Sequence, residues 1–336
     1  MEKSHKILRK ESYHKLIHKL LESKQIYAPV QEGGRINYRR IASSKQLTDD
    51  YILPENSVKS FVFPAIEKLF SYTKNKDDVT IENLDPEAIP AKVVLGVRPC
   101  DSLGIKQLSA IFNWSPEDPI FQKRMEKTTI IGLACTRADA YCFCTSLGSN
   151  PGDARGSDLF LTPKNTEDYI VEIVTAKGEA IVALAPELFE GVSESACTKS
   201  LAEVPKYFDD AHLEEKMKAA FDTLVFDEYA MRCIGCSACA FVCPVCGCFD
   251  IQDETKGARG QRMRCWDSCG AKLFTLHTSG HTPRSTQGAR WRQRLMHKFS
   301  YMPERLEVRG CVGCGRCSRR CPVDMNMSEQ LTIISK

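Results

Sequence analysis

Cys311, Cys314, Cys317 and Cys321 follow the spacing C-x2-C-x2-C-x3-C, and Pro322 comes next. Cys233, Cys236, Cys239 and Cys243 repeat the pattern, with Pro244 after them. This is the bacterial ferredoxin run: three closely spaced thiolates wrap one [4Fe-4S] cubane, and the fourth cysteine ligates the other cluster. The spacing therefore assigns Cys321 to the cluster of Cys233, Cys236 and Cys239. It assigns Cys243 to the cluster of Cys311, Cys314 and Cys317. Gly235, Gly313 and Gly315 let the backbone close around the sulfides. The chemistry of such clusters is one-electron transfer. Structural zinc is the competing occupant, but it prefers separated ligand pairs around a tetrahedral ion, and two complete runs ending in Cys-Pro lack that layout.

Nine of the 17 cysteines lie outside the runs. Cys100 in "GVRPCDSLG" follows an expected strand and opens an expected helix. Cys135 ends the next strand, and Cys142 and Cys144 follow in "YCFCTSLG". Neighbouring parallel strands bring their ends together, and helix N-terminal amides favour an anion there. These four are a candidate third cluster, with buried packing thiols as the alternative. Asp101 is read as an N-cap for the helix rather than a ligand. Cys246, Cys248, Cys265 and Cys269 form a second group and a candidate fourth site, with packing or redox-sensitive thiols as the alternative. Cys197 stands alone and reads as structural.

The elements that would position these residues are partly visible. Tyr13, Leu16, Ile17, Leu20 and Leu21 recur at helical spacing. The apolar runs at 92–97, 128–135, 169–174 and 180–185 read as strands, and "SLGIKQLSAIF" between the first two reads as a helix. Residues 1–205 are thus expected to be an α/β domain. From 206 to 336 a mainly helical two-[4Fe-4S] ferredoxin-type domain is expected, with a long insert at about 245–310. A helix carrying Leu213, Met217, Phe221, Leu224 and Val225 on one face leads into Cys233, and another is expected from 285 to about 300.

That insert is basic. Arg284, Arg290, Arg292, Arg294, Lys298, Arg305 and Arg309 face only Glu304 and Glu307 between 282 and 309, and Arg316, Arg319 and Arg320 follow. Cations near a cluster lower the cost of burying its negative charge and raise its reduction potential. A solvated basic helix is the plainer alternative. A nucleic-acid face is disfavoured, because no nucleic-acid fold signature accompanies "ARWRQR".

The chain of 336 residues, 43% hydrophobic with a net charge of +3, is of ordinary globular composition and long enough for about two domains. The charge is too small to imply nucleic acid by itself. No apolar stretch approaches a membrane span, and the N-terminal stretch has no apolar signal core. Abundant cysteine then fits thiolate ligands in a reducing cytoplasm better than disulfides.

"FVFPAIEKLF", "GVRPCDSLGIKQL", "YCFCTSLGSNPG", "GSDLFLT", "CPVCGCFD", "RCWDSC" and "CVGCGRCSRRCP" occur in this order between about 60 and 325. Together they resemble the β subunit of soluble NAD(P)-linked [NiFe] hydrogenases, or sulfhydrogenases. The A subunit of anaerobic sulfite reductase is similar throughout. The resemblance implies an iron–sulfur conduit in a cytoplasmic hetero-oligomer. A partner subunit would bind flavin and NAD(P), and a separate catalytic subunit would be a [NiFe] hydrogenase, a sulfite reductase or a disulfide reductase. This chain would then have no catalytic residues of its own. One position departs from the family pattern: the residue before "WDSC", usually arginine there, is Cys265 here. That weakens Cys265 as a ligand and leaves the fourth site one thiol short, a place His277 or His281 could fill. No G-x-G-x-x-G follows a strand, no Cys-x-x-Cys-His is present, and nothing is laid out like nickel ligands. Two other functions compete: a zinc-stabilised binding protein with a basic nucleic-acid face, and a self-sufficient flavin oxidoreductase.

Overall fold

The computed structural model describes residues 5–191 and 201–336; Cys197 lies outside them. In chain order the first strands are β1 (His5–Arg9), β2 (Gln25–Glu32), β3 (Arg35–Arg40), β4 (Ile66–Lys74), β5 (Val79–Asn83) and β6 (Lys92–Val97). They are followed by β7 (Thr128–Leu133), β8 (Leu159–Pro163), β9 (Asp168–Ile173), β10 (Phe189–Gly191), β11 (Phe249–Lys256) and β12 (Arg259–Trp266). Eight strands make one sheet in the order β10-β1-β9-β8-β7-β6-β2-β3. Neighbours β8, β7, β6 and β2 are parallel, and the other pairs are antiparallel.

Both faces of this sheet are covered, which is why β6 is apolar along almost its whole length and buried throughout. Val93 and Leu95 face one way, into a core with Leu16, Ile17 and Leu20 of α1 (Lys10–Leu21). Val94 and Val97 join the other core, with Ile105, Leu108 and Phe112 of α2 (Pro99–Phe112) and Phe121 of α3 (Pro119–Glu126). The run at 180–185, expected to be a strand, is instead part of α4 (Ala176–Leu184). Ile181, Val182 and Ala185 are buried while Ala183 and Leu184 are exposed. That is helical spacing, and a short apolar run alone does not separate the two periods.

The C-terminal half carries short helices: α5 (Leu213–Ala219), α6 (Val225–Ala230), α7 (Ala238–Phe241), α8 (Gln287–Met296), α9 (Met302–Leu306), α10 (Arg316–Arg319) and α11 (Met327–Ile334). The helix expected from Leu213 to Val225 breaks into α5 and α6, and Leu224 points to solvent. The helix expected from 285 is present as α8. It continues through a π-helical turn at His297–Tyr301 into α9. Trp291, Leu295 and Phe299 of this helical stretch pack with Leu213, Met217, Phe226 and Leu331 in a separate core.

"Mainly helical" holds only in part, because the insert begins with a hairpin. β11 and β12 turn at Gly257, which has a positive φ, and β12 then pairs with β4, giving a second sheet in the order β11-β12-β4-β5. Residues from both sides of position 205 thus share a sheet. Buried Arg264 of β12 fastens it, with its guanidinium on Glu67 of β4 and Asp118 at the start of α3, while Arg124 also reaches Glu67 at 2.6 Å. Among the described residues no helix is long and apolar enough to cross a membrane.

Candidate iron–sulfur centres

The two ferredoxin runs adopt one backbone shape. Gly235 and Gly313 have φ of 69° and 65°, and Ser237 and Gly315 have 63° and 69°. Each left-handed residue turns the chain so that the next cysteines point inward, and each run then enters a one-turn helix, α7 or α10. These two helices pack against each other, so the runs face one another. Cys233, Cys239, Cys311, Cys317 and Cys321 pack around the helical core. Cys243 and Cys314 lie instead in a fourth core at the junction of the halves, with Cys100, Leu103 and Val245.

The second run is pressed against the N-terminal half. A Cβ on Gly313 would stand 2.6 Å from the backbone of Cys144, and one on Gly315 would meet the carbonyl of Tyr141. Phe143 donates its amide to Gly313 O at 2.9 Å. Gly313→Ala is therefore expected to cost at least about 1–3 kcal/mol from the left-handed φ alone, and to disturb the Tyr141–Cys144 loop as well. Anaerobic guanidinium unfolding of the full chain measures the loss.

Behind that contact lies one cavity lined by Cys100, Cys135, Cys142 and Cys144, with Gly313 and Cys314 in its wall. The topology explains the gathering. β6 and β7 are parallel neighbours, so their C-terminal ends deliver Cys100 and Cys135 to the same place. Cys100 sits in the first turn of α2, and the loop after β7 folds back to add Cys142 and Cys144. Burial pushes the Cys135 thiol up to about 11, against the pull of Arg98. Burial, reinforced by Cys135 and Cys142, pushes Cys144 up to about 12. Burial also holds Cys100 well above its ordinary value and takes Cys317, in the second run, to about 12. Such thiols stay protonated unless a metal displaces the proton.

Only part of the basic stretch is solvated: Arg305 and Arg320 are exposed. Arg290, Arg294 and Lys298 recur at intervals of four along the helical stretch, and all three are buried. Arg294 Nη1 reaches Cys246 Sγ at 3.3 Å and Nη2 reaches Cys239 O at 2.7 Å. Lys298 Nζ reaches Cys243 Sγ at 3.4 Å and Gly310 O at 2.6 Å. Burial alone would lower Lys298, but Cys243 and Cys246 raise it above its ordinary value. Arg319 Nη2 lies 3.2 Å from Cys142 Sγ while its guanidinium pairs with Asp139. Gln287 Nε2 donates to Cys233 Sγ and the Met325 amide to Cys321 Sγ, each at 3.2 Å. Donors aimed at ligand sulfurs are what tune a cluster's potential.

Asp101 is not the N-cap expected of it. Arg98 holds that position with no side-chain cap. The Asp101 carboxylate instead grips Arg316 of the second run through two bonds of 2.6 Å, with both side chains buried. Burial pushes the Asp101 carboxyl up from its ordinary value and the facing guanidinium pulls it back.

Cys246, Cys248 and Cys269 lie close enough to act on one another: Cys269 lowers the Cys248 thiol and Cys248 raises that of Cys269, with Cys246 raising both. Cys265 sits on β12 between Asp250 and Ile66 and is not among the main groups acting on those three. His277 and His281 are exposed, their rings 5.4 Å apart and packed on each other. Among the described residues no three His, Cys, Asp or Glu side chains converge as a single metal ion would require. Three buried cations had no sequence signal: Lys59, Arg98 and, as a partner of Asp101, Arg316. Lys59 and Arg98 are isolated basic residues beside apolar runs, and only the adjacency of Arg98 to Cys100 hinted at its place.

The donor set, the paired loops and the cationic surroundings fit [4Fe-4S] clusters, which supply one-electron transfer when bound. Residues 232–325 match a family described as a 4Fe-4S dicluster domain. The chain is 30% identical over 323 residues to the sulfhydrogenase 2 subunit beta of Pyrococcus furiosus, spanning 94% of this chain and 93% of that one. No solved structure matches it. The sequence likeness runs through the α/β half as well as the clusters' half, and the chain belongs to the family of sulfhydrogenase β subunits, iron–sulfur proteins of electron transfer.

Proposed function

We propose that this chain relays electrons between a partner subunit carrying flavin and NAD(P) and a separate catalytic subunit, in a cytoplasmic hetero-oligomer. The relative's name, a sulfhydrogenase subunit, favours a [NiFe] hydrogenase as that catalytic subunit over a sulfite or disulfide reductase. Cys233, Cys236, Cys239 and Cys321 would hold one cluster, Cys311, Cys314, Cys317 and Cys243 the next, and Cys100, Cys135, Cys142 and Cys144 a third. The placement of Cys243 beside Cys314 in the junction core supports the crossed assignment. Packing of Cys321 in the core that also holds Cys233 and Cys239 agrees with it, although Cys311 and Cys317 border that core too.

The observation that carries the relay is the shared wall. Cys314 of the second run lines the same cavity as the four N-terminal cysteines, which supports a path between the second run's cluster and the third. At the other end Cys236 is exposed, as are Ile234 and Met231 nearby. That edge is where a partner's cofactor would approach.

Full chain purified anaerobically is expected to be brown and to hold at least about eight irons from the two runs. The Cys142→Ala/Cys144→Ala variant should hold about four fewer irons than the parent. Stoichiometric zinc in a colourless preparation would end the relay proposal, and an unchanged iron content in that variant would remove the third cluster from it.

A further inference from the structure

A thiol and a metal-bound thiolate need opposite neighbours. The thiol donates its proton, whereas the thiolate that ligates iron can only accept. Cys142 has a neighbour for each state. Its Sγ lies 3.5 Å from Asp139 Oδ1 and 3.2 Å from Arg319 Nη2. The carboxylate suits the thiol, and only the guanidinium suits the ligand.

Arg319 is held in place for that contact. Its Nε donates to Asp139 Oδ2 at 2.7 Å, its Nη2 also reaches Asp139 Oδ1 at 2.5 Å, and its Nη1 donates to Cys314 O at 2.6 Å. The carboxylate is in turn fixed by the turn that carries Cys142. The Tyr141 amide donates to Asp139 Oδ1 at 3.0 Å, and the Cys142 amide donates to Asp139 O at 3.1 Å. Arg319 belongs to the second run, between Cys317 and Cys321. Cys142 belongs to the N-terminal cavity, whose wall includes Cys314. One guanidinium thus touches the main chain of a ligand loop of one centre and a ligand sulfur of the other. This side chain is not a cation stranded by packing: it has its carboxylate, is 20% exposed, and still directs an N–H at sulfur.

We propose that Arg319 sets the reduction potential of the cluster at Cys100, Cys135, Cys142 and Cys144 by donating to the Cys142 sulfur, with Asp139 as the residue that aims it. The proposal rests on the third cluster put forward above. Each added electron places more negative charge on the ligand sulfurs, so a charged donor holds the reduced form more strongly than the oxidised one. Arg319 therefore raises the potential of this cluster, and the Asp139 carboxylate beside the same sulfur lowers it. The guanidinium meets the second run only at a carbonyl. Its larger effect falls on the third cluster, which biases an electron from the second run's cluster toward the N-terminal cavity.

The test is an anaerobic redox titration of the full chain, followed by electron paramagnetic resonance, in the parent, Arg319→Met and Asp139→Asn. The third-site component is the one that vanishes in Cys142→Ala/Cys144→Ala. Its midpoint is expected to fall in Arg319→Met. It is expected to rise in Asp139→Asn, which removes a negative charge and keeps an acceptor for the guanidinium. The other components should move less in both. Mere disturbance of the loop would move the two variants the same way, so shifts of one sign would overturn the proposal, as would an unshifted third component. Arg319→Lys serves should the Met variant fail to assemble. It keeps the charge and loses the fork, and its midpoint should lie below that of the parent. Loss of the component in all three variants would make Arg319 and Asp139 supports of the loop and not setters of the potential. A parent in which no component depends on Cys142 and Cys144 would remove the third cluster itself, a result distinct from a component that is present and unshifted.

Discussion

Asp101→Ala should destabilise the protein by about 3–5 kcal/mol, because it leaves a buried guanidinium without its partner. Arg316 and Asp101 are both essentially inaccessible to water, and the pair is bidentate. Neither can rehydrate without opening the junction between the halves. Arg316 also starts α10, immediately after Gly315 and one residue before Cys317. Its displacement moves the second run's ligands as well. Loss of iron should therefore accompany loss of stability in Asp101→Ala. Asp101→Asn separates the contributions, since it keeps the shape and a hydrogen-bond acceptor but removes the charge. Anaerobic denaturant unfolding followed at the cluster absorbance and by circular dichroism measures both. A change below about 1 kcal/mol, the scale of an exposed pair, would show that water reaches the pair.

The second large effect concerns the fourth ligands. Cys321→Ala is expected to damage the cluster of Cys233, Cys236 and Cys239, and Cys243→Ala the cluster of Cys311, Cys314 and Cys317. In either variant, electron transfer from a reduced partner flavin to the acceptor should fall to background, while reduction of that flavin by nicotinamide continues. Site-resolved spectroscopy of the two variants decides the wiring. Perturbation by Cys321→Ala of the Cys311–Cys317 cluster alone would mean that each run closes its own. Normal transfer in both variants would remove the chain from the electron path.

Much of the site was legible because thiolate ligation leaves a rigid sequence signature. The spacing of the runs fixes which loops can form, and Gly313 and Gly315 are where the left-handed turns fall. The meeting of Cys100 with Cys135 followed from two buried strands in succession, since parallel neighbours must end side by side. The charges were harder. Arg294 and Lys298 stood out as part of a basic stretch, yet nothing in the sequence told a buried stripe from a wet one. Asp101 had the residue type of a cap, and only the tertiary structure supplied Arg316, more than two hundred positions away. The α4 segment failed for a different reason, since its apolar run suits either period until burial at 181, 182 and 185 is seen. The β11–β12 hairpin was hidden by its polar outer strand, which is exposed along its whole length.

That hairpin has a consequence for how the protein is made. β4 is translated early, with β5 on one side of it. Its other edge is filled only by β12, through pairs such as Ile66 with Cys265 and Thr73 with Arg259. Glu67 meets Arg124 within its own half, but its second guanidinium, Arg264, arrives only with β12. During synthesis the α/β half must therefore sit with an open strand edge until nearly the whole chain has emerged, an exposure that invites aggregation. The second ferredoxin run ends at Cys321, so the two crossed clusters cannot close any sooner. Overproduction that outruns cluster delivery should fill inclusion bodies, and slowing translation while supplying iron and sulfide should recover soluble brown protein.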